Sequence, residues 1–295
     1  MPVPSSMVGA TIEPMRHDVD ERWTMAYAAS LGDYDNHYMD TTRAEGVVAH
    51  PLFSVCPEWP VIVSSRELGT TWGMAPDEVR QGVHATHDLT VHRLVRPGDE
   101  LQTRLTIAGL EQRSPGTLST SLLETVDEEG RLVATTTQGG IYLGVPLDGV
   151  DQPPEPTADP LDLPELDGTI KASIPVPIVA GAAHTYTECA RIWNPIHTDR
   201  TVALAAGLPD IILHGTATLA HGVSQVVATE AGGDPNLVRR IMGRFRSMVL
   251  MPSTITVRIF DRVRLDESLD AVRFDVLTEQ GGPAVDAGLV LLGAC

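Results

Sequence analysis

The chain has 295 residues, of which 42% are apolar and 20% charged, so it has room for two ordinary domains and is neither a mini-protein nor a disordered chain. Its 21 basic and 39 acidic residues leave a net charge of −18, which repels nucleic acid and anionic membrane and confines any anionic ligand to a local basic cluster. Cys56, Cys189 and Cys295 form no CxxC pair, no apolar run approaches the roughly 20 residues of a membrane span, and the start lacks a signal-peptide pattern; a cytoplasmic, reducing location is expected.

In chain order, Tyr27–Phe53 opens with a short helix-like segment, passes an Asn-containing turn and reaches an apolar stretch ending in His50-Pro51. Four strand patterns follow, THDLTVHRLV, ELQTRLTIAGLEQ, GTLSTSLLETVD and RLVATTTQGGIYLGV, each alternating apolar or β-branched with polar residues between Gly, Pro or Asp turns. His84, His87 and His92 fall in this strand-rich stretch without clustered carboxylate or cysteine partners; they read as structural, and no metal site is expected. From 146 to 167 proline alternates with acidic residues and no basic residue appears, so this stretch is expected to be an extended, solvated linker.

Beyond the linker the same order returns. Tyr186–Leu219 repeats the helix, turn and apolar stretch, now ending in His214-Gly215. Gly215–Glu230 has Leu219, Val223, Val226 and Val227 at helical spacing with small residues elsewhere, a helix able to lie close against a sheet. RIMGRFRSMVL, STITVRIFDRVRLD, LDAVRFDVLTE and AVDAGLVLLG again read as strands. Pairing Tyr38 with His197 gives an offset of 159, and pairing Pro97 with Pro252 gives 155, two similar values that favour internal duplication.

The segment Asn194–Asp199, NPIHTD, followed by an Ala-rich helix and GLPDIILHG, closely resembles the signature of the (R)-specific enoyl-CoA hydratases (hydratase 2), or MaoC-like dehydratases, of the hot-dog fold. In that family a G-D-x-N-P-x-H-x-D turn precedes a His-Gly step at the start of the central helix, and the 18 residues from His197 to Gly215 suit it. The resemblance implies an α+β double hot-dog, two tandem halves that each wrap an antiparallel sheet around a central helix. Residues 1–145 would be a degenerate half that shapes the substrate cavity, with Trp59, Trp72 and Trp193 as candidate lining, and 168–295 the catalytic half.

It also implies interconversion of (R)-3-hydroxyacyl and trans-2-enoyl thioesters, with coenzyme A as the substrate's carrier, no further cofactor, and a homodimer. Such chemistry needs a proton-transfer group near pH 7 and donors for an enolate-like oxygen. His197 is the acid/base candidate. Asn194 and Pro195 would fix its turn, and Gly215 would present an unpaired N–H at a helix start without a Cβ in the way. His214 is read as structural and Asp199 as a helix cap.

One departure stands out. Where the family has Gly-Asp, this chain has Arg191 and Ile192, whereas Asp33 keeps the carboxylate in the first half, which has Tyr38 and His50-Pro51 in place of the histidine and His-Gly positions. Three outcomes stay open: replacement by Glu188, one helical turn away, or by Asp33 or Asp35; a histidine working alone; or loss of hydration, leaving a non-catalytic acyl-CoA-binding subunit or a different hot-dog enzyme such as a thioesterase. For the carrier's phosphates, Arg239, Arg240, Arg244 and Arg246 form the basic cluster, with Arg244 and Arg246 on one strand face. Arg93 and Arg96 are a weaker version.

Overall fold

The computed structural model describes residues 1–157, 161, 163–165 and 168–294. Cys295 and six residues of the expected linker (158–160, 162, 166 and 167) lie outside the described residues. The strands are β1 (Val3–Pro4), β2 (Thr11–Asp18), β3 (Gly82–Val91), β4 (Glu100–Arg113), β5 (Gly116–Val126), β6 (Leu132–Leu143), β7 (Leu147–Asp148), β8 (Ala172–Ile178), β9 (Val238–Phe245), β10 (Ser253–Arg264), β11 (Leu269–Leu277) and β12 (Pro283–Gly293). The helices are α1 (Glu21–Ser30), α2 (Asn36–Met39), α3 (Val55–Thr71), α4 (Pro76–Val79), α5 (Ala182–Ala190), α6 (Arg200–Ala205) and α7 (Gly215–Glu230).

These elements form two compact units. The first comprises Met1–Asp18, Pro57–His92 and Glu100–Leu161; the second comprises Val19–Cys56, Arg93–Asp99 and Asp162–Cys295. The units therefore cross the sequence halves, because the helical turn region of the first half associates with the second: α1 packs on α5, where the Tyr27 and Tyr186 rings meet at 5.6 Å.

In the first unit the strands run antiparallel in the order β2-β4-β5-β6-β3. The period-two patterns place Leu105, Ile107 and Leu123 in a core with Val61 of α3. The linker departs from expectation here. Leu147–Asp148 pairs in parallel with Val3–Pro4, Leu110 and Gln152 exchange backbone hydrogen bonds, and Asp151 accepts from the Gln112 N–H. Its first part is docked rather than solvated because its backbone groups find partners on the edge of β4.

In the second unit the order is β9-β12-β11-β10-β8, and α7 lies against β9 to β12. Leu219, Val223, Val226 and Val227 are buried as the helical spacing requires. Gly222 shows how close the helix comes: a Cβ there would stand 2.4 Å from the Phe274 ring. The strand expected over RIMGRFRSMVL begins at Val238 and ends at Phe245. Arg246 and Ser247 still donate to the Ala284 and Pro283 carbonyls, but Val249 and Leu250 turn to another partner: Leu213 N–H bonds Val249 C=O, and Ile212 bridges Leu250. Those bonds fix the loop before α7.

Candidate functional site

The site region grows from one local device used twice. Gly32 and Arg191, 159 residues apart, both adopt left-handed backbone, with φ of 69° and 59°. Each ends a helix turn and is followed by an Asx cap: Asp35 accepts from His37 N–H at 2.8 Å, and Asn194 from Ile196 N–H at 3.5 Å. Tyr27 and Tyr186 keep the same offset and their hydroxyls lie 3.4 Å apart. A non-glycine residue in this conformation is costly. The Arg191 guanidinium lies 3.9 Å from the Trp23 ring centroid, a cation–π contact that offsets the cost.

The turn delivers His197 into a buried position, 8% exposed. Its Nδ1 lies 2.8 Å from the Ile212 carbonyl oxygen. A carbonyl only accepts, so Nδ1 carries the proton and Nε2 is left with its lone pair. Burial pushes the His197 pKa down to about 4, against a smaller upward pull from the Ile212 bond, and the ring is neutral at pH 7. The His214 ring stacks on it at 3.7 Å between centroids and 26° between planes. Thr187 of α5 holds His214 through an Oγ1 to Nε2 contact of 3.2 Å, and Tyr186, bonded to Thr216, packs on its other side at 4.9 Å.

Gly215 is the first residue of α7, where an N–H has no intrahelical acceptor. A Cβ there would come 3.1 Å from the Phe245 ring, so the glycine also makes room for that ring. Asp199 caps α6, accepting from Thr201 N–H at 2.8 Å and Val202 N–H at 3.3 Å.

The candidate carboxylates separate. Glu188 is exposed on α5, and the helix ends at Ala190, so the one-turn relation to Ile192 expected from sequence does not form. It lines an open cleft of about 280 Å³ with Thr187, Trp193 and Asn194. Asp33 acts electrostatically on Tyr38 and His221, with Asp35 also beside Tyr38, in a cluster around the first-half His50. Ile192 is buried. The first copy of the stack is not preserved: Tyr38 and His50 stand 5.7 Å apart at 47°, and His50 Nε2 turns to Ser224 Oγ at 3.1 Å.

The arginine cluster is also divided. Arg244 and Arg246 do share a face, but both bind one carboxylate, that of Asp286, each with a 2.9 Å contact. Arg239 donates to the Asn236 and Val238 carbonyls, and Arg240 is half-buried on β9. Arg93 pairs with Asp99 and Arg96 donates to the Glu45 carbonyl. Trp193, 59% exposed, and Trp72, 41% exposed, are surface residues. Sequence reasoning did not single out Thr187 or Ile212, whose contacts with the histidines depend on chain folding; the Tyr27/Tyr186 repeat was the available signal for that region.

Residues 163–267 match the family described as MaoC like domain, and residues 6–136 match the FAS1-like, dehydratase domain region. The chain therefore carries a MaoC-like dehydratase domain over 163–267. It is 25% identical to the 3-hydroxyacyl-thioester dehydratase Y of Mycobacterium tuberculosis, over 96% of this chain and 95% of that one. It is 35% identical over 68 residues to the peroxisomal enoyl-CoA hydratase 2 of Arabidopsis thaliana, 23% of this chain and 22% of the relative. The chain spans less than a quarter of that relative's length and of the Drosophila melanogaster peroxisomal multifunctional enzyme type 2.

Among solved structures it superposes on a MaoC-like dehydratase from Phytophthora capsici with a TM-score of 0.80 at 19% identity, covering 98% and 96% of the two chains. A Mycobacterium tuberculosis protein described as a double hot-dog gives 0.61 at 17% identity, covering 97% and 96%. The fold is a double hot-dog. Among the described residues no helix is long and apolar enough to cross a membrane.

Proposed function

We propose that the chain is a hydro-lyase interconverting (R)-3-hydroxyacyl and trans-2-enoyl thioesters of coenzyme A, with His197 as its acid/base. The observation that carries this reading is the bond from His197 Nδ1 to the Ile212 carbonyl, which leaves Nε2 as a neutral base next to the start of α7. In dehydration, Nε2 takes the proton from C2 while the Gly215 N–H steadies the enolate-like thioester oxygen. The C3–O bond then breaks, the imidazolium gives the same proton to the departing oxygen, and water leaves. Hydration is the reverse. One group can carry both transfers when C2–H and C3–O lie on one face of the substrate, and Ile192, at the family's carboxylate position, makes this single-base route the reading adopted here.

Asn194 holds the turn, and the substrate's own thioester carrier is the sole cofactor-like group required. Arg240 and the Arg244/Arg246 pair, whose two positive charges exceed the one negative charge of Asp286, are the proposed contacts for the carrier's phosphates. Residues 1–145 and 168–295 are proposed as the two tandem hot-dog halves joined by 146–167, and a cytoplasmic homodimer is the proposed state. The test is hydration of short and medium 2-enoyl-CoA followed at the conjugated-thioester absorbance. His197→Ala should lower kcat/KM by about 10²- to 10⁴-fold; equal rates would remove His197 from the mechanism. The buried Ile192 favours one competing reading, a non-catalytic acyl-CoA-binding subunit. That protein would bind acyl-CoA and turn over no enoyl or hydroxyacyl thioester.

A further inference from the structure

We propose that His214 is a positioning residue for His197, clamped by Thr187, and that this stack aligns the base beside a turn in which Ile192 stands in place of a carboxylate. The inference rests on the reading of His197 as acid/base.

An imidazole that must pass a proton between two atoms has to hold its plane, and one hydrogen bond fixes only one point of the ring. The Ile212 carbonyl supplies that point at Nδ1. Rotation about the remaining axis would sweep Nε2 away from its target. The His214 ring, tilted by 26° with its centroid 3.7 Å away, blocks that rotation by stacking against one face. His214 is itself held by Thr187 Oγ1 at its Nε2, by a hydrogen bond to the Ile192 backbone and by the Tyr186 ring. Thr187 also accepts, through its carbonyl, the Ile192 N–H at 3.0 Å, so one residue ties the clamp to the backbone of the carboxylate-free position.

The chemistry of the pair is one-sided. Two imidazolium ions cannot stand face to face at this distance, so His214 stays neutral whenever His197 carries the transferred proton. A neutral aromatic face then lies against the transient cation and stabilises it. Every element around the pair fits this role: α5 contributes Thr187 and Tyr186, the latter against Tyr27 of α1 and subject to Cys56, and the loop before α7 contributes the Ile212 carbonyl. The first half supplies the contrast, since Tyr38 and His50 are tilted by 47° at 5.7 Å rather than stacked, and His50 is directed to Ser224.

The experiment reads His197 directly, by ¹⁵N-edited NMR of the unliganded full chain, beside steady-state kinetics with 2-enoyl-CoA. In the natural protein His197 should show the Nδ1–H tautomer. His214→Leu should mix the tautomers, push the His197 titration further below the ordinary histidine range, and lower kcat about 10²-fold with little change in KM, the size expected for a misplaced catalytic group. His214→Phe, which restores a flat face, should recover the tautomer and much of kcat. Thr187→Val should shift the tautomer in the same direction and serves if His214→Leu does not fold. An unchanged His197 tautomer and titration in both His214→Leu and Thr187→Val would overturn the proposal. If the spectra respond to His214→Leu while no form of the protein turns over enoyl-CoA, the stack stands and the acid/base reading fails.

Discussion

Ile192 and Asp33 occupy the same place in two copies of one turn, one an apolar side chain and the other a carboxylate, and the residues around each have adjusted accordingly. Beside Ile192 the histidine is buried and its pKa lies at about 4; beside Asp33 the corresponding Tyr38 has its hydroxyl pushed up by burial first and by Asp33 next. A new carboxylate near His197 would favour its charged form. Ile192→Asp should therefore move the acid limb of the kcat/KM pH profile upward from about 4, by one unit or more. An unmoved limb would show that the side chain at 192 does not act on the ring. His197, Asn194 and Gly215 could be picked out as candidates in sequence because their spacing is local. Thr187 and Ile212 were not, because what they contribute is a contact across 27 and 15 residues of chain.

Helix α7 was legible almost to the residue, since a 3.6-residue apolar stripe and a row of small side chains leave few alternatives. Its small residues have a measurable purpose. At Gly222 any added Cβ meets the Phe274 ring, which is 2% exposed and has no room to withdraw. Gly222→Ala should destabilise by about 1–3 kcal/mol despite the better helix propensity of alanine, as read from the urea midpoint at constant slope. A gain in stability would mean that the helix and sheet can separate at little cost. The end of the strand over 238–245 and the docking of the first part of the linker were not legible for a common reason. Periodicity reports which face of a segment is apolar, but not whether its backbone groups bond to the sheet or to a loop elsewhere.

For the molecule as a whole, buried titratable groups oppose one another. His50, at about 3, and His87, His197 and His221, each at about 4, are held neutral by burial, and His214 lies well below its ordinary value. Unfolding releases these rings to take up protons, so stability is present above about pH 6.5 and is lost as pH falls toward the folded-state values, by about 1.4 kcal/mol per pH unit for each ring fully engaged. Glu58 works in the opposite sense. Burial raises it to about 8 while Thr136, donating to Oε1 at 2.5 Å, pulls the other way. Its contribution is therefore complete below about pH 4.5 and declines as pH rises to 8. The melting temperature should fall steeply between pH 6 and 4. Glu58→Gln should raise it at pH 8 and leave it nearly unchanged at pH 5; equal effects at both would place Glu58 in its ionised form throughout. None of this was visible in a net charge of −18, because formal charge counts groups without asking which are dry.

The Arg191 contact with Trp23 gives the turn an optical label. Trp23 is 3% exposed, and the guanidinium against its ring belongs to the residue three places before Asn194. Any ligand or substitution that shifts this turn must move a cation relative to an indole, changing the colour and yield of its emission. With Trp59, Trp72 and Trp193 replaced by phenylalanine, the protein's own fluorescence would report the state of the segment that carries His197, in real time and without a substrate analogue.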